Sequence, residues 1–159
     1  MKIRVLAVGK LKDSYLVDAC EDYLKRLRKY CSITIEEFPD LPTFDKDGET
    51  LKEDVRHKEC EKMLSRIKPR DYVVILDLGS EEMSSESLAK EVEKWFSRGG
   101  SEITFVIGGS LGLSQEMKKR GNATLTLSKL TFTHGFARAI LLEQIYRSFK
   151  ILHHEPYSK

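Results

Sequence analysis

Apolar and polar positions alternate along this chain with two periods. Short runs at residues 3–9, 32–38, 71–79, 102–110 and 123–128 are rich in Val, Ile and Thr and are bounded by Gly, Pro or charged residues, which predicts strands. Between them, residues 14–30, 50–67 and 84–97 have helical spacing; in the first, Leu16, Ala19, Tyr23, Leu27 and Tyr30 recur every three or four positions. Runs such as VVILDL and ITFVIGG are apolar almost throughout, as strands covered on both faces are. The expected fold is α/β: a mostly parallel sheet of five to six strands with helices on both faces. A last helix begins after Gly135, where Leu142, Ile145, Phe149 and Leu152 form a stripe and Glu143, Arg147, Lys150 and His154 share another face if the helix runs that far. It follows directly on the polar stretch LSKLTFTH. The segment PDLPTFDKDG, residues 39–48, is the one long loop and suggests no chemistry.

Composition narrows the class. At 159 residues and 40% hydrophobic, the chain fits one domain over residues 1–159. The apolar run near its start is too short for a signal peptide, and no stretch reaches a membrane span, so a cytoplasmic protein is expected. Cys20, Cys31 and Cys60 lie far apart without CxxC spacing, which predicts reduced thiols and no metal site. Net charge is +2 but uneven. Residues 1–115 carry 19 Lys and Arg against 22 Asp and Glu, whereas residues 116–159 carry 8 against 3. An anionic partner such as RNA would be met at that basic end, although an ordinary solvated surface has the same composition.

Ligands of parallel sheets bind beyond the carboxyl ends of the strands, which here are LDLG at 76–79, IGGSLGL at 107–113 and LSKLTF at 127–132. The glycines of the second are not a dinucleotide fingerprint, because Ile107 stands where the first Gly of GxGxxG belongs, and GGSLGLSQEMKK contains no P-loop. A doubly wound nucleotide-binding protein is thereby disfavoured. A turn that merely reverses the chain would have the same glycines.

FVIGGSLGL, LSKLTFTHGFARAILLEQIYRSFKI, the terminal EPYSK, IRVLAVGKLK and MSSESLA together resemble the RlmH family of 23S rRNA pseudouridine N3-methyltransferases, over essentially the whole chain. That resemblance implies the SPOUT fold with a C-terminal trefoil knot, a homodimer, and S-adenosylmethionine held in the knot. The counterparts of the cofactor-binding loops are Leu76, Gly108, Gly109, Leu127, Ser128, Lys129, Leu130, Thr131 and Phe132. Backbone groups of the polar stretch would meet the adenine edge, and Leu76, Leu127, Leu130 and Phe132 would shield its faces. The following helix would anchor the knot. With Ile140, Leu141, Leu142, Ile145, Tyr146 and Phe149 it is apolar on more than one face, which suggests a partner subunit against it.

The resemblance also implies the catalytic candidates Arg147, His154 and Tyr157. Methyl transfer to N3 requires alignment of the attacking nitrogen and an acceptor for the imide proton. Arg147 is expected near the substrate nucleotide, and Glu143 four residues earlier could equally pair with it. Arg138 lies on another side of the helix, suited to a separate surface such as one across a dimer. A phenol titrates near 10, so Tyr157 is expected to stack or hydrogen-bond with the base. His154, and more remotely His134, are the imidazoles that could take the proton. The family tail usually has His after PY, where Ser158 stands; if that His handles a proton or contacts RNA, its role here passes to His154, to water or to the ribosome itself. The substrate expected is the rRNA of an assembled ribosome, with no membrane and no metal involved. A non-catalytic RNA- or ribosome-binding module of the same fold is the alternative, and cofactor titration separates the two.

Overall fold

A computed structural model describes residues 1–44 and 46–157; Ser158 and Lys159 lie outside the described residues. The elements in chain order are β1 (Lys2–Val8), α1 (Ser14–Leu27), β2 (Ser32–Phe38), α2 (Glu49–Leu64), β3 (Val73–Leu76), α3 (Ser85–Arg98), β4 (Glu102–Ile107), α4 (Gln115–Arg120), β5 (Ala123–Leu125) and α5 (His134–Leu152). The five strands form one parallel sheet in the order β2-β1-β4-β3-β5. Pairing runs from Lys2 opposite Ser32 to Val8 opposite Phe38 on one side of β1, and from Lys2 opposite Glu102 to Ala7 opposite Ile107 on the other.

The period of two in β1 sorts its side chains between two cores. Ile3, Val5 and Ala7 join α1, α3 and α5 on one face, around Trp95, Phe105, Leu142 and Phe149. Leu6 and Val8 join α2 and α4 on the other, around Cys60, Met63, Val106 and Met117. The expected helices on both faces are therefore present. Ser84, Ser114 and Thr133 cap α3, α4 and α5, each side-chain oxygen accepting from the backbone N–H three residues on. Cys20, Cys31 and Cys60 are all buried free thiols, and burial pushes Cys31 up to about 11. Among the described residues no helix is long and apolar enough to cross a membrane.

Three strands are shorter than the apolar runs suggest. β3 stops at Leu76, β4 at Ile107 and β5 at Leu125, while the runs continue to residues 79, 110 and 128. Because β4, β3 and β5 are adjacent in the sheet, these continuations emerge side by side at its carboxyl edge.

Candidate functional site

The three emerging segments enclose a cavity of about 930 Å³. Its wall is formed by Leu76–Leu78 at the end of β3, Ile107–Leu113 at the end of β4, Leu127, Ser128 and Leu130–Thr133 after β5, and His134 and Ala137 of α5. The first turns of α2 add Glu49, Glu53 and Arg56, and α4 adds Gln115 and Lys118. Hydrogen bonds tie the segments together. Thr126 Oγ1 donates to the Asp77 carbonyl at 2.7 Å, the Asp77 N–H reaches the Leu125 carbonyl at 3.2 Å, and the Ser80 and Thr126 hydroxyls lie 2.8 Å apart.

The glycine loop rests on α2. Arg56 Nε donates to the Leu111 carbonyl at 2.8 Å, and the Ser114 N–H is 3.3 Å from Cys60 Sγ. Within the loop the Gly112 N–H bonds the Gly109 carbonyl at 3.0 Å, with Gly112 at φ +83°, a conformation suited to glycine. A Cβ on Gly108 would sit 2.9 Å from the Gly112 backbone and from Leu113 Cδ2, and one on Gly109 would meet Val8, Glu59 and Asp40. Packing of the loop against the protein thus requires Gly108 and leaves little room for a side chain at Gly109, whatever the ligand. Beneath Gly109, the Glu59 carboxylate is buried and accepts from the Leu41 N–H at 2.9 Å. Burial pushes it up to about 7, and neighbouring Asp40 adds to the shift against the Leu41 hydrogen bond. This contact holds Leu41 of the segment that its sequence left without a role.

Charges around the cavity are paired. Arg56 Nη1 lies 2.7 Å from Glu49 and 2.8 Å from Glu53, and Lys118 Nζ is 3.5 Å from Asp77. Leu130 and Phe132 are 73% and 42% exposed at the rim, with Leu78 and Phe136 also uncovered. Among the described residues no group of three or more His, Cys, Asp and Glu side chains could hold a metal ion.

Of the cofactor candidates, Leu76, Gly108, Gly109, Leu127, Ser128, Leu130, Thr131 and Phe132 line the cavity; Lys129 is exposed and is not part of its wall. The catalytic candidates lie elsewhere. Arg147 Nη2 donates to Glu143 at 2.8 Å, and its guanidinium sits 4.7 Å from the centre of the Tyr157 ring. The Tyr157 ring meets Tyr146 edge-on at 4.9 Å, and its hydroxyl lies 2.9 Å from that of Tyr23. Burial pushes the Tyr157 phenol well above its usual range. Ala137 in the cavity wall and Arg147 are ten residues apart on α5, about 15 Å along its axis.

Three expectations need correction. α5 ends at Leu152, and His154 takes a left-handed φ of 55° in the following turn, so it leaves the face it would share with Arg147. Arg138 serves no external surface; it is buried, with Nη1 2.7 Å from Glu37 and Nη2 3.1 Å from the Gly9 carbonyl, tying the loop after β1 to α5. The apolar faces of α5 are largely covered within one chain, since Leu141, Leu142, Ile145, Tyr146 and Phe149 are all buried. Uncovered apolar side chains lie instead near its first turn, where Tyr15 and Phe136 are paired at 6.1 Å.

A parallel sheet whose strands open at one edge onto a loop-built cavity defines an α/β domain with its candidate site beyond its strand ends. Residues 1–158 match the family described as predicted SPOUT methyltransferase, and the chain belongs to that family. It is similar to ribosomal RNA large subunit methyltransferase H of Desulforamulus reducens, 44% identical over 159 residues, 100% of this chain and 99% of that one. Ribosomal RNA large subunit methyltransferase H 1 of Clostridium perfringens SM101 is 47% identical over 100% of both chains. A solved structure of a probable methylase family protein from Haemophilus influenzae Rd KW20 shares the fold, with a TM-score of 0.54 at 11% identity over 99% of this chain and 70% of that one.

Proposed function

We propose that this protein transfers a methyl group from S-adenosylmethionine to N3 of a pseudouridine in the 23S rRNA of assembled ribosomes, in the cytoplasm and as a homodimer. The observation that carries the proposal is the cavity where the segments after β3, β4 and β5 meet, in a chain of the SPOUT methyltransferase family with rRNA methyltransferases as full-length relatives. Family membership also supports a C-terminal trefoil knot formed by the segment that includes Leu127–Phe132.

The residues present suit the cofactor. Leu76, Leu127, Leu130 and Phe132 offer apolar surface for the faces of an adenine, and neighbouring backbone groups can meet its edge. Bound there, the cofactor supplies a methyl group already activated on a sulfonium. The chain must then hold the base in line with that methyl and accommodate the charge left when N3 loses its proton. That charge spreads onto the ring carbonyl oxygens. Arg147 as a cation and Tyr157 as a neutral phenol donor are suited to receive it. His134 in the cavity wall and His154 beside the tail are the imidazoles open to that task.

The length of α5 between cavity and Arg147 supports a dimer in which one protomer's tail cluster completes its partner's cavity. Exposed Tyr15, Leu130, Phe132 and Phe136 provide apolar surface for such a contact. The test is removal of residues 155–159. Tyr157 packs against the core, so some stability is lost, but S-adenosylmethionine binding by calorimetry should persist while methyl transfer to unmodified ribosomes disappears. Undiminished transfer by the shortened chain would refute the assignment of the tail.

A further inference from the structure

Helical spacing makes Tyr23 one more core position of α1, yet its hydroxyl points at the tail. We infer that Tyr23 is a positioning residue that orients the Tyr157 hydroxyl for the methyl-transfer reaction; this rests on the role proposed above for Tyr157. The two oxygens are 2.9 Å apart although 134 residues separate them in sequence. Tyr146 against the Tyr157 ring and the Arg147 guanidinium near its centre fix where the ring lies. Neither fixes the rotation of the hydroxyl. That last freedom is governed by whatever hydrogen-bonds the oxygen, which is Tyr23.

A hydroxyl has one proton and two lone pairs. If Tyr157 donates to a ring carbonyl of the target base, its proton is committed, and the proton shared between the two phenols must come from Tyr23. Tyr23 as donor also makes the Tyr157 hydroxyl a better donor, since aligned hydrogen bonds polarise one another. Tyr23 is itself held: its ring lies 6.0 Å from Tyr146, and the Arg26 guanidinium sits 5.5 Å from its centre. A separate latch docks the tail backbone. The Tyr30 hydroxyl donates to Glu155 at 3.0 Å, Lys150 Nζ donates to the same oxygen at 3.2 Å, and the Glu155 N–H bonds the Lys150 carbonyl at 2.9 Å. Removal of the Tyr23 hydroxyl therefore frees the Tyr157 hydroxyl without releasing the tail, which separates orientation from docking.

The experiment compares Tyr23→Phe, Tyr157→Phe and the double variant in steady-state methyl transfer from labelled S-adenosylmethionine to unmodified ribosomes, with calorimetric cofactor binding as the check on folding. Tyr23→Phe should lower kcat about tenfold, the loss of one oriented hydrogen bond, with KM for S-adenosylmethionine unchanged. The double variant should be no slower than Tyr157→Phe alone, because the hydroxyl that Tyr23 orients is already gone; a merely structural role would add its loss in both backgrounds. Parental kcat in Tyr23→Phe with Tyr157→Phe impaired, or losses that multiply in the double variant, would overturn the inference and leave the role of Tyr157 standing. Parental kcat in Tyr157→Phe would overturn that role and the inference with it.

Discussion

The first and last turns of α5 meet the rest of the molecule in opposite ways. At the first, Thr133 caps the helix, His134 and Ala137 face an open cavity, and Phe136, like Leu130 and Phe132, is exposed. At the last, the helix is enclosed: Tyr30 stacks on Phe149 at 5.3 Å and 6°, His153 lies 5.1 Å from Tyr30, and Tyr146 is bordered by Tyr23, Tyr30 and Tyr157. The open end has a cavity and uncovered apolar surface but lacks Arg147 and Tyr157. The enclosed end has the prearranged polar groups, and neither Arg147 nor Tyr157 lines the cavity. On the proposed function, one helix separates cofactor binding from substrate handling, and a two-fold dimer that brings unlike ends together would reunite them.

Damage to the open end should have the largest effect. Gly108→Val places a branched side chain where even a Cβ would be 2.9 Å from the Gly112 backbone, so the loop must shift. Loss of calorimetric S-adenosylmethionine binding is expected, with destabilisation of about 1–3 kcal/mol from overpacking. Binding at parental strength would mean that the glycine loop is not the cofactor site. Damage to the enclosed end should spare the cofactor. Arg147→Ala is expected to cut methyl transfer to ribosomes about 100-fold while cofactor affinity changes less than about twofold. A parallel fall in affinity would show that the two ends are not functionally separate.

A smaller effect reports on the support beneath the glycine loop. The Glu59 carboxyl is pushed up to about 7 by burial and by Asp40, so between the ordinary carboxylate range and pH 7 the folded protein keeps a proton that the unfolded chain has lost. Stability should therefore fall as pH rises through that window and level off above it. Glu59→Gln keeps the shape without the charge; its melting temperature should be flatter across the window, with a gain of about 1–3 kcal/mol at pH 8. An unaltered pH profile in that variant would exclude Glu59 as the titrating group.

The open end was the more legible in sequence. Apolar runs ending in Gly and Ser located the carboxyl edge, and LDLG, IGGSLGL and LSKLTF all contribute to the cavity wall. The points where the strands stop were not legible, because pairing depends on the neighbours: β5 has only three residues, and β3 pairs with it over Val74–Leu76. Leu78 and Leu127 beyond those points line the cavity, and periodicity reads them as more strand. Glu49, Glu53 and Arg56 were invisible as cavity residues, since their arrival depends on how α2 packs across the sheet. At the enclosed end, Tyr23 and Tyr30 read as a helical stripe, and their hydroxyl bonds to Tyr157 and Glu155 span more than 120 residues. Burial of Arg138 against Glu37 and Gly9 is equally a long-range fact that charge along a helix cannot reveal.

Coexpression of the Gly108→Val and Arg147→Ala chains tests the reunion of the two ends most directly. Each homodimer alone should be nearly inactive. In a mixed dimer one site combines the intact cavity of the Arg147→Ala chain with the intact tail cluster of the Gly108→Val chain. With random pairing, ribosome methylation should recover to about a quarter of the parental level per chain, because half the dimers are mixed and each has one complete site. Isolated mixed dimers that transfer no methyl group, although each contains an intact cavity and an intact tail cluster on different protomers, would contradict the shared site.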